Sequence, residues 1–142
     1  MASELKVDKF TGVTTAGSIS VTGEGNSTTT NLQQGLAKCW VNFNGQGSDF
    51  ATRDSFNVAS LTDNGTGDYT TNYTNAFANA NYVFEGNSMY ENSRSHVHGQ
   101  SSNTNYATDS MRGITAFVSS TNGADTANDS TIVNRAYLGD LA

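Results

Sequence analysis

The only two histidines of the chain stand one residue apart, in the segment His96-Val97-His98. On an extended strand, side chains two positions apart leave the same face, so both imidazoles could bind one metal ion. Three chains around a threefold axis would supply six imidazole nitrogens, enough to surround one octahedral transition metal. We favour the simpler interpretation, an exposed polar loop in which His96 and His98 bind no metal.

The sequence has no recognisable catalytic motif. No serine lies in a Gly-x-Ser-x-Gly context, and there is no glycine-rich phosphate loop. The 13 acidic residues include no pair that the sequence singles out for glycoside cleavage. The segment DNGTGD at residues 63–68 resembles a calcium loop but lacks the downstream glutamate of an EF-hand, and a hairpin turn explains it better. We therefore expect a protein that is not an enzyme and has no cofactor.

The aromatic side chains suggest a different kind of chemistry, the binding of sugars. Ring faces can stack against the C–H surfaces of a sugar while Asn and Asp side chains bind its hydroxyl groups. The alternative, which we favour for most of the rings, is that they form the core of a chain with few Leu and Ile residues. The rings considered are Trp40, Tyr69, Tyr73, Tyr82, Tyr90 and Tyr106.

The charge and composition exclude several classes of protein. With seven Lys and Arg residues, a net charge of −6 and a pI near 4.5, the chain has no basic patch for nucleic acid. It has no apolar run long enough to span a membrane and no signal peptide, so we expect neither membrane insertion nor export. The single cysteine, Cys39, excludes an internal disulfide framework.

A low apolar content predicts that the chain depends on partner chains. Of its 142 residues, 35% are apolar, where soluble domains have about 45–50%. One domain of this kind would bury only a thin core by itself, whereas identical copies could share burial in a symmetric assembly. We therefore expect a homo-oligomer.

Short alternating apolar runs predict β-structure, and the scarcity of strong helix formers argues against helices. At the N-terminus, residues 4–10 and 18–22 are predicted strands, followed by a polar linker over residues 23–31. A β-element this small rarely folds unaided, so we expect it to need a docking partner.

The chain is accordingly predicted to have two parts. Residues 1–31 are the N-terminal attachment segment and linker, with Leu5, Val7 and Phe10 as apolar anchors for a neighbouring protein. Residues 32–142 are the β-rich body.

The first half of the body has the clearest strand pattern. In residues 38–43, apolar side chains alternate with polar ones, which predicts one buried face and places Trp40 on the other. The residues predicted to be buried there are Cys39, Val41 and Phe43.

A β-hairpin is predicted over residues 55–74. Asn64-Gly65 can adopt the positive φ that a tight turn requires. Phe56 and Val58 are in phase within the first strand, so they are predicted to share a face.

The second half of the body alternates between polar and apolar segments. Residues 81–84 are a predicted short strand, and the polar residues 85–109 predict a long loop or a solvent-rich hairpin. Residues 111–119 are the best candidate for a strand buried on both faces, and residues 131–138 are the last strand. The predicted fold is all-β, a compact antiparallel β-sandwich-like body that follows the short attachment segment.

Three blocks of sequence stand out together: SELKVDK at residues 3–9, GLAKCWVNFNG at residues 35–45, and DSFNV at residues 54–58, leading into TDNGTGDYT. They resemble virion proteins of marine tailed bacteriophages, of the cyanophage or pelagiphage type, that are described as tail-fibre-like or structural. The resemblance covers residues 3–84 well and the remainder loosely. Cys39 stands where that family usually has Ala, and 142 residues make a short fibre.

This resemblance implies a non-enzymatic structural component of a phage virion, and it implies a homotrimer, since fibre proteins of this sort are usually trimers. Residues 1–31 would dock to a neighbouring virion protein, and a host surface glycan is the expected external ligand. Capsid decoration, or a tail adaptor or plug, is the alternative position in the virion. An alternative of another class is a free carbohydrate-binding β-module.

Overall fold

The computed structural model describes residues 4–12, 19–23, 28–32, 35–90, 94–97, 106–118 and 125–142. The chain divides into two compact units, Met1–Leu36 and Ala37–Ala142. The division falls after Leu36, where the sequence predicted a boundary near residue 31.

The first unit contains one small antiparallel sheet, in which β1 (Ser20–Thr22) pairs with β2 (Thr29–Asn31). The linker predicted over residues 23–31 therefore ends in a strand. The strand predicted over residues 4–10 is wrong, because residues 4–12 are irregular and none of the described strands pairs with them. Alternation alone does not make a strand when its backbone lacks a partner for hydrogen bonding.

The second unit consists of ten strands and one short 3₁₀ turn, Gly47–Asp49, in its described residues. A five-stranded sheet has the order β4-β3-β12-β7-β8, a three-stranded sheet has the order β5-β6-β9, and β10 pairs with β11. All of these pairings are antiparallel, so the predicted all-β class is confirmed. The strands are β3 (Cys39–Asn44), β4 (Ala51–Phe56), β5 (Val58–Gly65), β6 (Asp68–Tyr73), β7 (Val83–Tyr90), β8 (Arg94–Val97), β9 (Ser110–Ile114), β10 (Ala116–Val118), β11 (Asp125–Ala127) and β12 (Ile132–Leu138).

The core lies between the five-stranded and three-stranded sheets and is rich in aromatic rings. The Tyr73 ring packs against Phe77, Tyr82 and Tyr137, with centroid distances of 5.1, 6.0 and 5.2 Å. Tyr69 is fully buried and stacks on Phe50. The expectation that most rings would form the core therefore holds for Tyr69, Tyr73 and Tyr82. The predicted buried face of β3 is also confirmed, and its members are Cys39, Val41 and Phe43.

Asn57 forms the corner at which the chain leaves one sheet and enters the other. Its φ of 59° lies in the left-handed region, between the end of β4 and the start of β5. Because of this corner, Phe56 is 52% exposed while Val58 packs against the core. The prediction that Phe56 and Val58 share a face is wrong, since it assumed a continuous strand.

The Asn57 side chain is held by four hydrogen bonds. Its Nδ2 donates to the carbonyl oxygens of Lys38 and Asn75, at 3.0 and 3.1 Å. Its Oδ1 accepts hydrogen bonds from the Asn75 backbone amide at 2.8 Å and from Asn75 Nδ2 at 3.0 Å. Asn is one of the few residues that tolerate a positive φ, and here its side chain also ties the corner to two neighbouring segments.

The predicted hairpin is present as β5 and β6, which are joined by a turn at Thr66-Gly67. Gly67 has a φ of 68°, and a Cβ atom there would lie 2.4 Å from the Thr115 carbonyl oxygen, so only glycine fits.

Of the polar segment predicted as a loop or a hairpin, residues 85–90 and 94–97 belong to the antiparallel pair of β7 and β8, and residues 106–109 lie outside the strands. The candidate strand over residues 111–119 is divided into β9 and β10 at Thr115, whose hydroxyl and amide bind other loops. The central strand of the larger sheet is β12 instead.

Arg135, at the middle of β12, is the largest fully buried side chain. Its Nη1 donates to the Tyr69 carbonyl oxygen at 3.0 Å, and its Nη2 donates to the Gly113 carbonyl oxygen at 2.9 Å. The guanidinium carbon lies 5.5 to 5.9 Å from the ring centroids of Phe43, Tyr69 and Phe84. A Cβ atom on Gly113 would approach Nη2 to 3.3 Å, so glycine leaves room for the guanidinium.

We expect Arg135→Ala to lower the free energy of unfolding by about 3–5 kcal/mol, because it removes charged hydrogen bonds and leaves a cavity. The matched control is Arg53→Ala, since Arg53 also donates to a backbone carbonyl, that of Thr131, but is exposed. Its cost should stay within about 1 kcal/mol. Urea unfolding followed by circular dichroism measures both values, and equal costs would contradict this role of Arg135.

The Asn57 corner predicts which of two substitutions, Asn57→Gly or Asn57→Ala, destabilises the protein more. Asn57→Gly removes four side-chain hydrogen bonds but keeps the positive φ easily accessible, whereas Asn57→Ala also strains the backbone. Asn57→Ala should therefore be less stable than Asn57→Gly by about 1 kcal/mol, and both should be less stable than the parent. Thermal and urea unfolding compare the three proteins; equal stability of the two variants would show that φ imposes no constraint here.

Candidate ligand-binding face

The face of the five-stranded sheet that is turned away from the core carries two rows of side chains that cross the strands. One, called here the aromatic row, contains Phe56, Trp40, Ala136 and Glu85 on four adjacent strands. The other, called here the amide row, contains Asp54, Asn42, Asn134 and Asn87 on the same strands. Strand alternation brings these residues to one face because each lies two positions from its neighbour along its own strand.

A trough of about 380 Å³ lies on this outer face. Ala136 forms part of its floor, since its small side chain lies between the larger Trp40 and Glu85 in the aromatic row. Trp40 is 37% exposed and lines the trough, so part of this residue remains open to solvent there. The outer-face residues that line it are Trp40, Asn42, Glu85, Asn87, Asn134 and Ala136.

The asparagines of the amide row form a hydrogen-bonded ladder. Asn42 Nδ2 donates to Asn134 Oδ1 at 2.5 Å, and Asn134 Nδ2 donates to Asn87 Oδ1 at 2.8 Å. These bonds fix the rotation of the amide planes, so donor and acceptor atoms are presented in a set order. Each bond uses one of the two hydrogens on its donor nitrogen, which leaves the other for an external acceptor.

Carboxylates are the only ionisable groups in the two rows. Glu85 ends the aromatic row and Asp54 begins the amide row, and neither row contains Lys, Arg or His. The Asp54 carboxylate accepts a hydrogen bond from the Ser55 amide at 2.8 Å, while Glu85 is exposed. The arrangement suits an uncharged ligand that has both hydrogen-bond donors and an apolar surface.

The predicted anchors lie in the first unit. Leu5, Val7 and Phe10 are exposed by 75%, 46% and 61% within the irregular residues 4–12. These side chains are large, apolar and uncovered in the single chain.

The histidine pair is described only in part. His96 lies in β8, opposite Ser88 of β7, and its side chain and the whole of His98 lie outside the described residues. Within the described ranges no group of three or more His, Cys, Asp or Glu residues is placed to hold a metal ion.

Asp68 and Cys39 are among the groups outside the outer face whose pKa values are shifted. The segment that resembles a calcium loop uses its carboxylates within the chain: Asp63 accepts from the Gly65 amide at 2.9 Å, and Asp68 accepts from Arg112 Nε at 2.8 Å. The Arg112 hydrogen bond lowers the pKa of Asp68. Burial raises the pKa of the Cys39 thiol to about 12, so this cysteine remains a protonated, buried group.

Comparisons with protein-family models, with curated proteins and with solved structures find no match for this chain. Among the residues that the structure describes, no helix is long and apolar enough to cross a membrane.

Sequence reasoning found Trp40 but missed most of its neighbours. The signal that could have found Asn134 and Ala136 is the alternation in residues 131–138, which puts both on one face of the predicted strand. Glu85 and Asn87 were not recognised as residues of a long strand, because residues 85–109 are polar and predict a loop or a solvent-rich hairpin. A strand that is exposed on its outer face carries few apolar residues.

The ladder makes a prediction about stability. Asn134→Ala removes both amide bonds and should cost about 2 kcal/mol, whereas Asn87→Ala removes one and should cost about 1 kcal/mol. Urea unfolding gives both values. Equal costs would mean that the two bonds do not act as separate links between strands.

Proposed function

We propose that the protein is a non-enzymatic structural component of a tailed-phage virion, in which the β-sandwich of the second unit presents a recognition face. The observation that carries this proposal is the outer face, where an exposed tryptophan and a fixed amide ladder border a trough. A sheet face with this composition recognises ligands through its surface and does not need a reactive group. The sequence resemblance to tail-fibre-like proteins supports the position of such a face on a particle.

The first unit has the properties of an attachment segment in this proposal. Leu5, Val7 and Phe10 expose apolar surface along an irregular segment, and this surface can contact a neighbouring virion protein. Peptides of this kind bind by adding a strand to another sheet or by filling a groove. Burial of three large side chains would stabilise the contact, at roughly 25 cal/mol per Å² of apolar area.

A free carbohydrate-binding β-module is the second candidate function. The same outer face favours it, since Trp40 and the amide row could serve a monomer in solution equally well. The two candidates differ in assembly: the virion component is expected to be a homotrimer attached to other proteins, and the module is expected to be a monomer.

Light scattering on the purified full chain should give the mass of a trimer, about three times 15.0 kDa. Gold-labelled antibody should decorate phage particles in electron microscopy. Replacing Leu5, Val7 and Phe10 together by serine should abolish this decoration without unfolding the second unit. Val21→Ser is the matched control, because Val21 is also exposed in the first unit but lies in β1.

A monomer that never appears on particles would contradict the virion role and favour the free module. Decoration that survives the triple substitution would show that attachment uses another surface.

A further inference from the structure

We propose that the trough on the outer face binds a neutral linear glycan, which stacks on Trp40 and is hydrogen-bonded by the amide row. This inference rests on the recognition role proposed above and gives that face a ligand class. Three properties of the trough fit such a ligand: its size, the order of its polar atoms and its charge.

The trough has the width of a short stretch of sugar chain. Trp40 and Glu85 are separated by two strand spacings, about 10 Å, and the two rows lie about 7 Å apart along the strands. Because the side chain of Ala136 is small, the space between Trp40 and Glu85 stays open. A glycan that crosses the strands would place one pyranose ring against Trp40 and the next towards Glu85.

The polar atoms match hydroxyl groups. A hydroxyl both donates and accepts, and each asparagine of the ladder offers a carbonyl oxygen and a nitrogen with a second hydrogen. The ladder fixes these atoms before binding, so little conformational entropy is lost when the glycan arrives. Glu85 adds an acceptor that can bind two hydroxyls of one ring.

The charge of the face selects among glycans. Glu85 and Asp54 lie at opposite ends of the two rows, no cation stands in either row, and the whole chain has a net charge of −6. Sulfated chains and chains of uronic acids would bring like charges to this surface, where neither row offers a basic partner. Neutral sugars avoid this repulsion and keep the C–H faces that an aromatic ring contacts.

Trp40 is the only tryptophan of the chain, so its fluorescence reports on this site alone. Titration of the intact protein with neutral gluco-, manno- and galacto-oligosaccharides should change the emission and reduce quenching by acrylamide for at least one of them. Dextran sulfate and polygalacturonate should produce neither effect. Failure of every neutral oligosaccharide, or equal binding of the anionic polymers, would overturn the proposal.

Calorimetric titration of variants locates the binding. Trp40→Ala should weaken binding of the active oligosaccharide at least tenfold, and Glu85→Gln and Asn134→Ala should weaken it several-fold. Asp63→Asn is the control for charge, because it removes a carboxylate from β5 in the other sheet and should leave the affinity unchanged. Unchanged affinity of Trp40→Ala would place the sugar elsewhere and overturn the proposal.

The same measurements separate this inference from the proposed virion role. If antibody decorates the particles but the protein binds no oligosaccharide, the glycan site is refuted and the virion role still stands. Oligosaccharide binding by a monomer that is absent from particles would support the glycan site and refute the virion role. If Trp40→Ala instead dissociates the oligomer and no sugar affects the fluorescence, the outer face is a contact between copies and the proposal is wrong.

Discussion

The buried guanidinium of Arg135 is the constraint on which the β-sandwich depends. A cation in a protein core must be compensated, and in the part of the chain that the structure describes no carboxylate forms an ion pair with it. Compensation comes from the carbonyl oxygens of Tyr69 and Gly113 and from the rings of Phe43, Tyr69 and Phe84. Because Arg135 belongs to one sheet and its carbonyl partners to the other, these contacts also fix the position of the two sheets relative to each other.

This constraint accounts for the aromatic side chains that surround Arg135, which are Phe43, Tyr69 and Phe84. Aromatic faces carry negative charge density, so they stabilise a nearby cation in a way that Leu or Ile cannot. The tyrosines of the core also place their hydroxyls on partners inside the sandwich, such as Tyr137 on Thr71 at 2.9 Å and Tyr73 on Tyr82 at 3.2 Å. Polar and apolar contacts therefore occur together in the core, and the low apolar content does not prevent close packing.

The sequence predicted those parts of the fold that depend on a local pattern, either alternation within one strand or a turn between two adjacent strands. The alternation around Trp40 predicted which residues of β3 are buried, and the glycine-rich turn predicted the hairpin of β5 and β6. The sequence could not show that Asn57 turns the chain into the other sheet, since the left-handed conformation depends on hydrogen bonds to distant Lys38 and Asn75. It also did not reveal the candidate site, because Glu85 and Asn87 come to lie beside Ala136 and Asn134 only when β7 pairs with β12.

The core constraint and the outer face are linked through β12. Side chains alternate along a strand, so a buried Arg135 requires Asn134 and Ala136 to face outwards, beside Asn42 and Trp40 of β3. A slip of one residue would place Asn134 and Ala136 against the aromatic core. It would also move the guanidinium of Arg135 into solvent, where it would lose its contacts with the carbonyl oxygens and the rings. The contacts of Arg135 therefore hold the two outer rows in register. An exposed tryptophan on a sheet also favours association, and the asparagines and carboxylates beside Trp40 keep that face hydrated. The groups that would bind the hydroxyls of a sugar are thus the same groups that allow the ring to remain exposed.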